Sequence, residues 1–225
     1  MNDILIAYID KFNLKSYLNE NLLSFIEIKY FKSGDTICRI NEKINYLYFL
    51  VKGRTKVHTL LSTGKSLLLT LDKPLSLIGD LESFTSPLAH CTVVAIEDCI
   101  CISIPTYKVL ELGSNDPVFL KFIIDSLGNK LRSNSTYRSI NLLSPLENRF
   151  ASYLLSIPFY GDDSSIKIDK LTLVADLLGT SYRSLTRIIK KLTEKNILIK
   201  NGNIVTILNK HALSLLAKDI FKEYY

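Results

Sequence analysis

From Phe25 to Ile104 the sequence keeps returning to one device, a short apolar run followed by a glycine in a polar turn. Gly34, Gly53, Gly64 and Gly79 sit in SGD, KG, STG and IGD, and the runs between and after them include YLYFLV, KSLLLTL, CTVVAIE and CICISI. Short runs of this kind read as strands joined by tight turns. Because several are apolar on both alternating faces, they need cover on both sides, which predicts a closed β-roll or sandwich. Helical spacing lies outside this stretch. Ile4, Leu5, Tyr8, Ile9 and Phe12 predict a first helix over 4–18.

Pro105 ends the last run, and Asp116-Pro117 offers a cap with proline at the first helical position. Leu120, Ile123, Leu127 and Leu131 then recur at three- and four-residue steps, an apolar seam on one side of a long helix. That seam has two readings: packing on the chain's own roll, or dimerisation, which a helix outlasting the roll favours. Ser144-Pro145-Leu146-Glu147 is a capping box that opens a further helix, and IKID after the loop PFYGDDSS reads as a short strand.

Residues 170–195 read as two helices meeting at an angle. Ala175 is small where the first must pass close to the second, and Gly179 can take the positive φ of a tight helix end. Ser181 caps the second helix, whose Leu185 and Ile188 face back toward Val174 and Leu178. This is the pattern of a helix-turn-helix. From 181 to 200 there are six basic residues, Arg183, Arg187, Lys190, Lys191, Lys195 and Lys200, against Glu194 alone. Arg183 and Arg187 share a face, and arginine can grip guanine O6 and N7 bidentately, so Tyr182, Arg183 and Arg187 are the expected base contacts. Lys170, Ser181, Ser184 and Lys190 are the expected phosphate contacts, which position without selecting sequence. Downstream, ILIKNGNIVTIL places two β-rich runs around Asn201-Gly202, the signal for a type I′ hairpin and hence a wing. A basic solvated helix over an ordinary core is the alternative, but it does not require turn, cap, charge and wing to coincide.

A chain of 225 residues is long enough for two small domains. Its net charge of +6 and pI near 9.0 favour an anionic partner, without separating nucleic acid from other anionic surfaces. No apolar run approaches the length of a membrane span, and the first residues lack the features of a signal peptide, so a cytoplasmic location with no membrane partner is expected. Cys38, Cys91, Cys99 and Cys101 read by default as reduced core thiols. Cys99 and Cys101 share a strand face, and a hairpin over 91–104 would bring Cys91 beside them, so a redox switch at Cys91, Cys99 and Cys101 is a second reading. His58, His90 and His211 are scattered and no catalytic motif appears, which leaves the rival reading, a metal-dependent β-barrel enzyme, without ligands; no catalytic residue, metal or cofactor is expected.

The order β-roll, long helix, winged helix-turn-helix, carried by YLYFLVKGRTKV, LIGDLESF, VVAIEDCICISIP and LLGTSYRSLTRIIKKL, resembles the cyclic-AMP receptor/fumarate-nitrate reductase regulator (CRP/FNR) family of bacterial transcription factors. The YeiL-type branch is the most similar, through AIEDCICISIP, LLGTSYRSL and ILIKNGNIVTI. The resemblance implies an α+β chain with a roll-type sensor domain over 1–115, a dimerisation helix and hinge over 116–143, and a winged helix-turn-helix over 144–225. It also implies a homodimer on a two-fold double-stranded DNA operator, an effector in the roll, and RNA polymerase as a partner if the protein activates. Cyclic-AMP binders in the family use Gly-Glu for the ribose and Arg-Ser for the phosphate; the counterparts here are Gly79-Asp80 and His90-Cys91. A mostly neutral histidine replaces a permanent cation, and Asp80 is a methylene shorter, so an effector other than a cyclic nucleotide is expected, with cyclic-nucleotide response as the alternative. On the long helix Asn134 and Ser135 complete the expected effector pocket, unless Asn134 only fixes dimer register. An iron–sulfur cluster of the fumarate-nitrate type would need cysteines before Cys38, and there are none.

Overall fold

The computed structural model describes residues 3–60, 66–155, 157 and 164–217, and of 60, 66, 67 and 134–143 the backbone alone. The chain divides into two compact units, Met1–Asn134 and Ser135–Tyr225. No helix among the described residues is long and apolar enough to cross a membrane.

The first unit opens with α1 (Asp3–Lys11), which is shorter than the periodicity predicts. Asn13 turns left-handed at φ 50°, and a 3-10 turn, Leu14–Ser16, follows. The early reversal sends Leu14 and Leu18 into the core, a gain that the helical extension would forfeit. In α2 (Glu20–Leu23) the Asn19 side chain caps the amide of Leu22 at 2.9 Å.

Among the described residues, eight strands form two antiparallel sheets. They are β1 (Glu27–Phe31), β2 (Thr36–Cys38), β3 (Tyr46–Lys52), β4 (Thr55–Leu60), β5 (Ser66–Asp72), β6 (Ser76–Ile78), β7 (Thr92–Ala95) and β8 (Cys99–Pro105). The orders are β1-β8-β3-β6 and β2-β7-β4-β5. Tyr48, Leu50, Val93, Ala95, Cys99 and Cys101 fill the space between the sheets. On the opposite face of the first sheet Leu47, Phe49, Ile102 and Ile104 meet Leu5, Ile9, Phe119 and Ile123 of the helices. β3 and β8 are therefore covered on both sides, which is why their sequences do not alternate.

Residues 91–104 are not a hairpin, because β7 and β8 belong to different sheets. A corner carries the chain across: the Ile96 amide donates to the Arg54 carbonyl at 3.0 Å, and the Asp98 carboxylate accepts from the Ser33 amide and from Lys32 Nζ. Cys91 accordingly sits away from the β8 cysteines and beside Cys38, whose Sγ lies 3.8 Å from the Cys91 carbonyl oxygen.

After α3 (Thr106–Lys108) and a π turn, Val109–Gly113, comes α4 (Pro117–Leu143). Asp116 Oδ1 accepts from the amides of Val118 and Phe119 at 3.0 and 3.2 Å, satisfying two free N–H groups of the first turn. The expected seam of Leu120, Ile123, Leu127 and Leu131 is split between two surroundings. Ile123, 3% exposed, joins Phe119 in the roll core and Leu127 packs against it, whereas Leu131 is 73% exposed and the neighbouring Ile124 is 62% exposed. A helix turns 100° per residue, so the face that carries Phe119 and Ile123 inward leaves Ile124 and Leu131 on its outer flank.

The second unit contains α5 (Leu146–Leu155), β9 (Ser165–Lys167), α6 (Leu171–Leu177), α7 (Tyr182–Glu194), β10 (Leu198–Asn201), β11 (Ile204–Ile207) and α8 (Lys210–Ala217). Phe150, Leu154, Val174, Leu185, Leu192, Leu198, Val205 and Leu213 are its core, and its sheet runs β10-β11-β9. Asn201 pairs with Ile204, which centres the wing turn on Gly202-Asn203, one residue later than the sequence predicts. Gly202 alone has positive φ, 57°, as in a type II′ turn rather than type I′.

Gly53 turns the chain from one sheet to the other at φ 87°, where an added Cβ would lie 2.6 Å from the Asp98 carbonyl oxygen and 2.7 Å from Cys99 Sγ. Gly53→Ala should therefore destabilise the protein by about 2–4 kcal/mol, read as a lower denaturant midpoint at unchanged slope.

Candidate functional site: nucleic-acid interface and roll interior

In the helix-turn-helix, α6 ends at Gly179, φ 59°, and Ser181 Oγ accepts from the Ser184 amide at 3.1 Å to open α7. Leu185, Ile189 and Leu192 are buried, and with them α7 has one closed face. Arg183, Arg187 and Lys190 lie on the opposite, exposed face, and Tyr182 is 54% exposed at its start. Lys170, immediately before α6, is also exposed. Ser181 and Ser184 share a hydrogen bond of 2.9 Å, so their first role is to begin the helix.

Glu147, which the sequence marks only as part of a capping box, and Arg149 hold this arrangement. Glu147 of α5, expected to bond back to the Ser144 amide, instead accepts from Lys191 Nζ and lies 3.9 Å from Lys195 Nζ. Arg149 donates to the Leu178 carbonyl at the end of α6. Lys191 and Lys195 thus belong to the support of α7, and the outward cationic stripe is Arg183, Arg187 and Lys190. The residues paired here are far apart in sequence, so no local spacing announces them.

The roll brings together Gly79, Asp80, His90 and Cys91, but the polar groups of Asp80 and His90 are already engaged. Asp80 is buried, and both its oxygens accept from Lys130 Nζ of α4, at 2.7 and 2.8 Å. The same ammonium donates to the Leu77 carbonyl at 2.7 Å, and Ser126 Oγ reaches Asp80 at 3.3 Å. The His90 amide donates to Glu82 Oε1 at 3.1 Å, with the imidazole Nδ1 3.3 Å from the same oxygen. An internal carboxylate therefore occupies the position beside His90 where the resemblance implies a phosphate. Lys130 was legible only as a lone charge on the otherwise apolar side of α4. The side chains of Asn134 and Ser135 lie outside the described residues.

All four cysteines are free thiols, and burial pushes each upward, Cys38 and Cys101 to about 12. Cys99 Sγ donates to the carbonyls of Glu97 and Arg54 at 3.2 and 3.3 Å. Protonated thiols are poor nucleophiles; Cys99 and Cys101 are buried, and Cys91, only partly buried, sits beside Cys38 instead, so the expected group of Cys91, Cys99 and Cys101 is not brought together as a thiol switch.

At the end of β5, Asp72 faces the roll interior. Burial is the main cause that raises its carboxyl from 3.8 to about 6; Lys130 and a hydrogen bond from Thr70 pull it down, and Asp80 pushes it up. A carboxyl raised on folding is stabilising only while protonated, so this contribution is present below about pH 4 and is lost as pH rises through about 6. Wild type should consequently lose roughly 2 kcal/mol relative to Asp72→Asn between pH 4 and pH 7, measured by parallel denaturant titrations.

Comparison with known proteins places these features in one family. Residues 28–116 match the family model of the cyclic nucleotide-binding domain, and residues 148–216 that of the Crp-like helix-turn-helix domain. The chain is 28% identical over 194 residues to regulatory protein YeiL of Escherichia coli O157:H7, covering 86% of this chain and 87% of that one. It is 24% identical to the cAMP-activated global transcriptional regulator CRP of Pasteurella multocida, covering 84% and 93%. Among solved structures, the c-di-GMP responsive global regulator CLP of Xanthomonas campestris superposes with a TM-score of 0.74 at 16% identity, over 84% of this chain and 96% of that one. A CRP-family transcriptional regulator of Thermus thermophilus superposes at 0.71 with 20% identity, over the same shares. With the two domain types in this order and the relatives regulators of one kind, the chain belongs to the CRP/FNR family of DNA-binding transcription regulators.

Proposed function

We propose that the protein is a homodimeric, sequence-specific regulator that reads a two-fold operator with α7 and responds in its roll to a small-molecule effector other than a cyclic nucleotide. The observation that carries the DNA half is the exposed stripe of Arg183, Arg187 and Lys190, opposite the buried face of α7 and braced from behind by Glu147 and Arg149. Tyr182, Arg183 and Arg187 contact base edges; Lys170, Ser181, Ser184 and Lys190 contact phosphates. Residues 1–115 act as sensor, 116–143 as dimerisation helix and hinge, and 144–225 as the DNA-binding part. A cytoplasmic site of action goes with that partner, and RNA polymerase is a further partner where the operator is activated.

Dimerisation uses the outer flank of α4, with Ile124 joining Leu120 and Leu131, while Ile123 serves the roll. The effector reading draws on Lys130 and Glu82: they fill the positions where a ribose hydroxyl and a cyclic phosphate would bind, so a nucleotide must break two internal contacts before it gains its own. The buried thiols favour a ligand over a redox signal.

Genomic-fragment selection with the purified full-length protein tests this: a two-fold motif is the expected result, and failure to enrich any motif, with or without cell extract metabolites, would refute the reading. Arg187→Ala should cost about 1–3 kcal/mol and relax one base preference, whereas Lys190→Ala should weaken all sequences evenly and reduce the salt slope by about one. Ile124→Glu combined with Leu131→Glu should convert the dimer to monomer in sedimentation while the far-ultraviolet spectrum is retained.

A further inference from the structure

We propose that the interior of the β-roll is a receptor for a small organic cation, with an ammonium, amidinium or guanidinium group held between the Asp72 carboxylate and the Thr55 hydroxyl. The inference rests on the effector reading above and names the chemistry of the ligand. Its first support is register: Thr55 on the central strand β4 pairs with Ala95 of β7 on one side and with Asp72 of β5 on the other. Residues paired directly across strands point to the same face, so Ala95, Thr55 and Asp72 form one row inside the roll.

The second support is an unmet polar group. Thr55 is 0% exposed and its Oγ1 has no hydrogen-bond partner, an uncommon state for a buried hydroxyl. Opposite it, Asp72, 9% exposed, takes a hydrogen bond from Thr70 but forms no ion pair among the described residues. Paired Cβ atoms stand about 5 Å apart, so a nitrogen placed between the two side chains lies within hydrogen-bond reach of both.

Charge then selects the kind of nitrogen. Asp72, Asp80 and Glu82 gather here with Lys130 as the cation beside the exposed His90–Glu82 contact. Lys130 spends its three N–H groups on Asp80 Oδ1, Asp80 Oδ2 and the Leu77 carbonyl, leaving none for Asp72. The local excess is negative, so an anion is repelled and a cation with several N–H donors is complemented. A bridging water can satisfy the hydroxyl but brings no charge. Among the described residues no group of three His, Cys, Asp or Glu side chains is placed to hold a metal ion, which leaves an organic cation as the matching class.

Calorimetry and thermal melts on the full-length protein with agmatine, putrescine and, as the anionic comparison, cyclic AMP test the proposal, using Asp72→Asn and Thr55→Val. The expected result is binding of at least one amine and not of cyclic AMP, weakened about tenfold or more by D72N and about three- to tenfold by T55V. No amine binding to wild type, or equal binding by both variants, overturns the inference; if D72N fails to fold, T55V decides alone. Fragment selection separates the two readings: a two-fold motif without amine binding removes only the cation site, whereas amine binding without any motif removes only the operator reading.

Discussion

The ammonium of Lys130 is the point on which the arrangement of the roll depends. Asp80 follows Gly79, whose φ of 86° and close approach to the Tyr46 carbonyl fix the end of β6 against β3. The carboxylate is thereby committed to a buried position, and a buried charge needs a partner of opposite sign close at hand. That partner comes from α4, so the loop after β6 and the long helix are specified together. Phe119 and Ile123 supply the apolar part of the same attachment, and the complete use of the lysine's donors leaves Asp72 with no cation of its own.

Local signals carried most of the fold. Runs that are apolar on both faces announced strands covered on both sides, and β3 and β8 have that cover. In the helix-turn-helix, Gly179, Ser181 and the spacing of Leu185 and Arg187 fall within a dozen residues, and geometry over so short a span follows from sequence. Periodicity was less informative about what covers a face: Ile123 and Leu131 belong to one apolar stripe, yet the first is sealed by the roll and the second stands clear of it. Adjacency in sequence also misled at 91–104, where a corner at Ile96 and Asp98 sends consecutive strands into different sheets. The contacts of Lys130 with Asp80 and of Glu147 with Lys191 span 50 and 44 residues; such pairs become visible only once the chain is folded.

The recognition helix is held from two directions. Glu147 draws on its C-terminal lysines, while Arg149 bonds the end of the preceding helix, so α5 acts as a brace for both halves of the motif. The functional charge is consequently smaller and better directed than the residue count implies. Two lysines are neutralised by a neighbour inside the protein, and those left facing outward are spaced by single helical turns. A rigidly mounted set of few cations favours register on a groove over diffuse attraction to any polyanion.

The placement of the thiols gives the molecule an internal gauge of its own motions. The chain has no tryptophan, and all four cysteines precede Asn134, with Cys99 and Cys101 sealed between the two sheets and Cys38 and Cys91 partly open. An alkylating reagent meets the inner pair only when the sheets part, and the outer pair sooner. The ratio of the two rates therefore records how far the roll breathes, and because the unit from Ser135 onward holds no cysteine, that record is not mixed with unfolding of the DNA-binding part.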